Sequence, residues 1–289
     1  MAYRKVGINP KKFDRSQIKF YIILAPFVAF MILPLIFIFN HAFKPIGELF
    51  AFPPTFIVKN PSLDNFRNLL KVSQISNIPI SRYLFNSLLV TIIVVVVSIL
   101  LSSMAAYALS KKKFRGKKIG LEINNAALMF VPTAVTIPRY IIITVLGIEN
   151  SYLAHILPVL AMPIGLFLIK QFIDQVPDEL IEASVIDGAS EWTVYWKVIM
   201  PLIKPAIATA ALLVFQAVWN NLETSQLFIT SDSMRTLAFY LSTFASQTNM
   251  VVGQGIAAAS SLIMFIPNLV LFIILQSNVM NTMSHSGIK

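Results

Sequence analysis

The sequence predicts an all-α, polytopic membrane protein with six transmembrane helices, and three observations carry that prediction. Hydrophobic residues make up 56% of the 289-residue chain and charged residues 12%, a balance that excludes an ordinary soluble domain. Stretches of about twenty apolar residues, the length that crosses a hydrocarbon core, can be placed six times. Lys and Arg fall between these stretches and mostly on one side, as they do when they orient spans.

A basic tail, residues 1–17, carries Arg4, Lys5, Lys11, Lys12 and Arg15 ahead of a first span at 18–40. That apolar stretch is too long for a secretory signal and no small-residue cleavage site follows it, so it reads as a retained anchor. The 41–82 connection is too long for a plain linker. Within it Leu63, Phe66, Leu69 and Leu70 fall on one helical face, which suits a short amphipathic helix that either plugs the span ends or meets a partner. The second span, 83–109, ends at a basic loop, 110–121, with Lys111, Lys112, Lys113, Arg115, Lys117 and Lys118. The third and fourth cover 122–145 and 152–172. A polar segment, 173–204, separates them from the fifth at 205–228, and the sixth, 255–280, leads into a tail at 281–289. Residues 18–280 are thus expected to form one six-span domain.

Counting bases orients the chain. Sixteen lie on the side of the two tails, the 110–121 loop and the 173–204 segment, six lie on the other, and Arg139 falls inside a span. The excess is expected to place both termini and the 173–204 segment in the cytoplasm. The net charge of +10 is accounted for by this topology, so membrane lipid is an expected partner and nucleic acid is not.

Several chemistries are excluded. The chain has no cysteine, so disulfides and thiol nucleophiles are absent. His41, His155 and His285 stand apart from one another and from carboxylate pairs, so no metal site is expected. His155 reads as a packing or span-edge histidine, and Glu122, Asp174 and Glu223 as charges near span ends. Gly116-Lys117 has neither the upstream glycine nor the following hydroxyl of a phosphate-binding loop. No catalytic set is visible, and the chain reads as non-catalytic.

The 173–204 segment says what the spans are for. Pro177 suits a first helical position, Asp178 and Glu179 place negative charge on the positive end of a helix, and Gly188 can supply a backbone angle that other residues resist. Glu182, Ala183, Ser184, Asp187, Gly188 and Ala189 surround the expected bend, where small side chains let another backbone approach. Beyond it Trp192, Tyr195, Trp196 and Ile199 recur at helical spacing and predict one broad apolar face. Pro201 and Pro205 mark its end.

Two groups inside the spans are candidates for the transport path. Arg139, expected near the middle of the third span, either lines the path and meets an anionic or strongly polar sugar, or bonds backbone carbonyls freed by Pro132 and Pro138. Trp219, Asn220 and Asn221, with Gln216 one turn earlier, offer a ring and amides; they suit a sugar site or serve equally as interhelical glue.

Glu182-Ala183-Ser184-Val185-Ile186-Asp187-Gly188-Ala189-Ser190, followed by Lys197-Val198-Ile199-Met200-Pro201-Leu202-Ile203-Lys204-Pro205, resembles the Glu-Ala-Ala loop of permease subunits of binding-protein-dependent ABC importers. The likeness is strongest to the carbohydrate branch and its smaller maltose-type permease. It extends to Leu63-Asp64-Asn65-Phe66, Ala105-Ala106-Tyr107-Ala108-Leu109-Ser110, Gly147-Ile148-Glu149-Asn150-Ser151-Tyr152, Trp219-Asn220-Asn221 and Gly287-Ile288-Lys289, so that residues 15–289 are covered. Ser184 stands where the family usually has a second alanine and Tyr195 where it usually has phenylalanine.

The resemblance implies the permease fold with cytoplasmic coupling helices, in the cell membrane of a bacterium or archaeon. It implies that Glu182, Ala183, Ser184, Asp187, Gly188 and Ala189 seat in a groove of an ATPase subunit, and that loss of Glu182 or Gly188 uncouples transport. The implied partners are a second homologous permease, two cytoplasmic ATPase subunits and an extracytoplasmic sugar-binding protein. ATP and Mg would be bound by the ATPase subunits, with no cofactor in this chain. The alternatives are an ABC permease for a non-sugar polar solute and an ion- or proton-coupled carrier. A carrier should show acidic or histidine relays and an inverted repeat, and neither is evident in the sequence.

Overall fold

A computed structural model describes residues 17–53, 55–75, 78–247 and 250–286, and every regular element among them is helical. Helix α1, Ile18–Phe43, leads to a short α2, Ile46–Leu49, and to α3, Asp64–Ile75. The longest uninterrupted apolar rod is α4, Ile80–Lys111, which contains neither proline nor glycine. Next come α5, Lys117–Met129, and α6, Thr136–Val145, then α7, Tyr152–Leu160, and α8, Pro163–Asp174. The polar segment holds α9, Asp178–Ile186, α10, Glu191–Thr193, a π-helical stretch, Val194–Ile199, and α11, Met200–Leu202. Helices α12, Lys204–Trp219, α13, Glu223–Phe228, α14, Leu237–Gln247, and α15, Met250–Ser286, complete the chain.

Three helices are each long and apolar enough to cross a membrane: Ile18–Phe43, Ile80–Lys111 and Gly253–Asn278. Three bent pairs bring the possible total to six: α5 with Pro132–Val145 at 108°, α7 with α8 at 44°, and Glu191–Leu202 with α12 at 80°. Proline explains where they break. Pro132 opens a 3-10 turn between α5 and α6 and has no N–H to continue the first ladder. Pro163 forces Met162 into an extended conformation, φ −118° and ψ 94°, which ends α7 and lets α8 begin.

Two expectations are corrected. The third span is two helices at a sharp angle, so Arg139 lies in the first turn of α6 and not midway along a continuous span. The helix expected over 205–228 stops at Trp219; Asn221 then accepts hydrogen bonds from the Thr224 backbone N–H and hydroxyl, each at 2.9 Å, and starts α13 as a separate element.

The core is organised around α4, which packs on α7, α8, α12 and α14. Val90, Val94, Ile99, Ala106 and Tyr107 of α4 are buried with Ile169 and Ile173 of α8 and Ala210 and Val214 of α12. A second cluster joins Tyr83, Trp219, Leu237, Leu241 and Ala259, with Leu69 of α3 as its lid. Helix α1 packs on α15, yet only Asn40 and Ala42 of it are buried, so its apolar surface faces outward.

The 41–65 stretch is sealed by buried polar groups. Asn65, 1% exposed, donates to the carbonyls of Ala42 at 3.0 Å and Lys44 at 2.9 Å, which the end of α1 leaves free. The buried Lys44 ammonium donates to the Thr55 carbonyl, and the Glu48 carboxylate accepts from the backbone of Lys59 and Asn60. Leu69 is buried and Phe66 half-buried, but Leu63 and Leu70 are exposed, so the expected four-residue face of α3 narrows to Phe66 and Leu69, joined by the buried Asn65. Gly255 belongs to this joint: a Cβ there would lie 2.6 Å from Asn65 Oδ1.

Candidate functional site

Helix α9 starts directly after Pro177, one position later than expected, with Asp178 and Glu179 in its first turn. None of its residues is buried. It ends in a glycine-dependent cap: Gly188 has φ +80°, its N–H donates to Val185 O, and the Ala189 N–H donates to Ser184 O, both at 3.0 Å. Glu182, Ala183, Asp187 and Gly188 are exposed; the Ser184 hydroxyl donates to Leu180 O at 2.7 Å, and Ala189 is half-buried against the core. Around the acidic positions Leu180, Val185 and Ile186 present apolar surface, Ile186 being 85% exposed.

The expected single face of Trp192, Tyr195, Trp196 and Ile199 is split. In the Val194–Ile199 π-helix, hydrogen bonds run i to i+5, so residues five apart share a side. Val194 and Ile199 are fully buried and Tyr195 nearly so, while Trp192 and Trp196 stand out at 59% and 47% exposure. The exposed surface of α9 is therefore extended by two tryptophans.

Both stems of the segment are held by the last turns of α4. At the first, Lys111 Nζ donates to Val176 O at 2.5 Å and to Asp178 Oδ1 at 2.7 Å, and the Ser110 hydroxyl donates to Asp174. At the second, Lys112 Nζ donates to both oxygens of the Glu191 carboxylate, and Tyr107 Oη donates to Glu191 Oε2 at 3.1 Å. The Tyr195 hydroxyl meets Ser103 Oγ at 2.7 Å. Donation from Lys112 holds the Glu191 carboxyl below its ordinary range against the opposing cost of burial, with a lesser contribution from Tyr107. In the sequence Lys111 and Lys112 read only as orientation signals, because their acceptors lie more than sixty residues away.

Of the path candidates, only some face open space. Trp219 is 2% exposed, stacks on Phe215 and donates from Nε1 to Met264 O at 3.2 Å, so its ring binds α12 to α15. Asn221 caps α13. Gln216 and Asn220 are exposed one turn apart, and Asn220 lines a cleft of about 250 Å³ with Leu241, Ser242, Ser260 and Met264. Arg139 does not bond carbonyls freed by the prolines. Its Nη1 meets Glu223 Oε1 at 2.9 Å, with side-chain exposures of 22% and 29%, and Thr136 Oγ1 donates to the same oxygen at 3.2 Å. Glu223, expected at a water-facing span end, is the counter-charge. His155 is buried between Thr224 Oγ1 at 2.8 Å and Met234 O at 3.1 Å. Among the described residues no cluster could hold a metal ion.

The family model described as "Binding-protein-dependent transport system inner membrane component" matches residues 98–279. The chain is 30% identical over 267 residues to the arabinooligosaccharides transport system permease protein AraQ of Halalkalibacterium halodurans, covering 91% of this chain and 93% of that one. It is 27% identical to the trehalose transport system permease protein SugB of Mycobacterium tuberculosis, covering 91% and 94%. Its fold is similar to a chain in the crystal structure of a bacterial ABC transporter involved in the import of the acidic polysaccharide alginate, with a TM-score of 0.77, 20% identity, and coverage of 93% and 99%.

Proposed function

The chain belongs to the family of binding-protein-dependent transport system inner membrane components, and from that premise we propose that it is the permease subunit through which an ATP-driven importer takes up a carbohydrate. As a member of the family it is a non-catalytic, multi-pass inner-membrane subunit that works with ATPase and binding-protein partners. The observation that carries the finer reading is α9: a helix with no buried residue, apolar and acidic, held at its stems and by Ile181 against the core. Such a surface suits a groove on another protein.

In this reading Glu182, Ala183, Ser184, Asp187, Gly188 and Ala189 seat in an ATPase subunit. Two such subunits bind ATP and Mg and pair with this chain and a second homologous permease, and an extracytoplasmic binding protein delivers the cargo. The excess of bases beside α9 favours a cytoplasmic location for it and for both termini. The cargoes named for the relatives, arabino-oligosaccharides and trehalose, support an oligosaccharide or related sugar. Gln216 and Asn220 are the exposed amides that would meet hydroxyl groups, whereas Trp219 and Asn221 serve the packing. Arg139, neutralised by Glu223, would line the path without presenting a free charge.

Copurification tests this reading. The solubilised chain, expressed with its partners, should retain an ATPase subunit; consistent absence of one would refute the docking role. Uptake that persists without ATP and collapses with the proton gradient would favour a secondary carrier.

A further inference from the structure

We infer that α4 is a rod that carries displacement of α9 to the 231–237 loop on the opposite side of the membrane, with Lys111 and Lys112 as positioning residues at one end and Asn86 at the other. This rests on the docking role proposed above.

Helices α8 and α12 flank the polar segment in sequence, but each joins it through a break. Gln175–Pro177 follows α8, and an 80° bend at Ile203 precedes α12. Apart from Lys170–Asp174 and Gln175–Gln171 at the end of α8, the side-chain bonds that tie the stems to another helix go to Ser103, Tyr107, Ser110, Lys111 and Lys112, all on the last turns of α4. A helix yields at proline and glycine, and α4 has neither, while α1 contains Pro26 and Pro34 and α15 contains Pro267. Its 32 residues span about 48 Å.

The far end of α4 is gripped as firmly. Asn86, fully buried, donates to Ser233 O at 2.9 Å and Arg235 O at 2.8 Å, and accepts from Tyr152 Oη at 2.8 Å. Arg82 Nε donates to Ser233 O at 3.1 Å, and Ser87 Oγ accepts from the Leu237 N–H at 2.8 Å. These bonds fix the start of α14, and Ala238, Leu241 and Ser242 of α14 form one wall of the cleft beside Asn220. Motion delivered to Lys111 and Lys112 therefore reaches the cleft wall without passing through a hinge.

The absence of cysteine from the chain makes the test direct. Thr230→Cys places a thiol at an exposed position beside the loop. In the complex with its ATPase subunits in lipid nanodiscs, which leave both faces open to solution, the reaction of this chain's thiol with a maleimide is timed without nucleotide and after trapping with ATP and vanadate. We expect a rate change of about tenfold, the size of a typical coupling between sites. Lys112→Glu and Glu191→Lys should each abolish the change while the ATPase still copurifies, and the two together should restore it. Asn86→Ala should abolish it without touching the polar segment. An unchanged rate in the otherwise unaltered complex, a change that survives either charge reversal, or a failure of the pair to restore it would overturn the rod. Loss of the ATPase from the unaltered complex would overturn the docking reading as well, which separates the two failures.

Discussion

The 41–65 stretch and the 173–204 segment are both long connections with exposed apolar side chains, and they differ in how they are fastened to the rest of the chain. The first closes on a joint of buried, hydrogen-bonded polar groups, Lys44 and Asn65 with Asn40 of α1, each under a tenth exposed, while Phe50, Phe52 and Ile57 lie exposed beyond it. The second exposes apolar groups, with Leu180, Val185, Ile186, Trp192 and Trp196 open to their surroundings. Buried, paired polar groups fasten a connection to its own chain. Exposed apolar groups, present in both, face lipid or a partner, and in the second they sit on α9 beside the exposed Glu182 and Asp187. Damage to the Asn65 joint should therefore appear as lost stability, and damage to the exposed face of α9 as lost partnership.

The largest effect should come from Asn65→Ala, which unpairs the buried carbonyls of Ala42 and Lys44. At about 1–3 kcal/mol for each stranded group, a loss of about 3 kcal/mol is expected, measured by thermal unfolding in detergent. Gly255→Ala should act in the same direction, because its methyl would meet the Asn65 amide.

A smaller loss is expected at the cap of α9. Gly188 has φ +80°, and no atom lies within 4 Å of the position a methyl would take, so Gly188→Ala is opposed by backbone strain alone, about 1–2 kcal/mol. Gly188→Asn should cost less, since asparagine tolerates that region. If the exit angle of α9 matters to the partner, uptake should follow the order Gly, Asn, Ala.

Ile186→Ser should sharpen the contrast further. Its stability change should stay within about 0.5 kcal/mol in the isolated chain, yet recovery of the ATPase subunit should fall. A clear drop in the isolated chain's melting temperature, with ATPase recovery intact, would break the comparison.

The smallest effect is acidification. The Glu48 carboxyl is held below its ordinary 4.5 chiefly by the Lys59 N–H, and that of Glu191 chiefly by Lys112. A depressed folded value contributes stability that is present above the ordinary value and lost as pH falls through the folded one. Between pH 7 and 5 neither region should weaken; below about 4.5 both should begin to loosen, and Glu191→Gln should remove that part of the dependence at the second stem.

What the sequence made legible followed from local chemistry. Apolar runs predicted an all-helical membrane chain, the Glu182 motif pointed to the family, and Gly188 announced a backbone angle that only the left-handed region supplies. What it concealed depended on distance or on helix type. Arg139 was legible as a costly charge, but Glu223 is 84 residues away and no local rule pairs them. Pro132 marked a weak point in the third span without stating a 108° turn. Spacing suggested one aromatic face because it assumes about 3.6 residues per turn, whereas the Val194–Ile199 stretch is wound differently. Trp219 suited a sugar, yet its ring is spent on Phe215 and Met264 O.

That π-helical stretch stores slack. A helix wound i to i+5 holds one residue more per hydrogen-bonded ring than an α-helix does. Each residue of an α-helix advances the side-chain direction by about 100°, so rewinding the stretch would rotate Trp192 and Trp196 relative to the anchored Ile199. The surplus residue works as a phase adjuster: it sets the clock angle at which the two tryptophans meet whatever lies beneath them, together with the seat of Tyr195 on Ser103. Excision of one residue here would leave composition and hydrophobicity almost untouched while dialling the docking face away from its bearing.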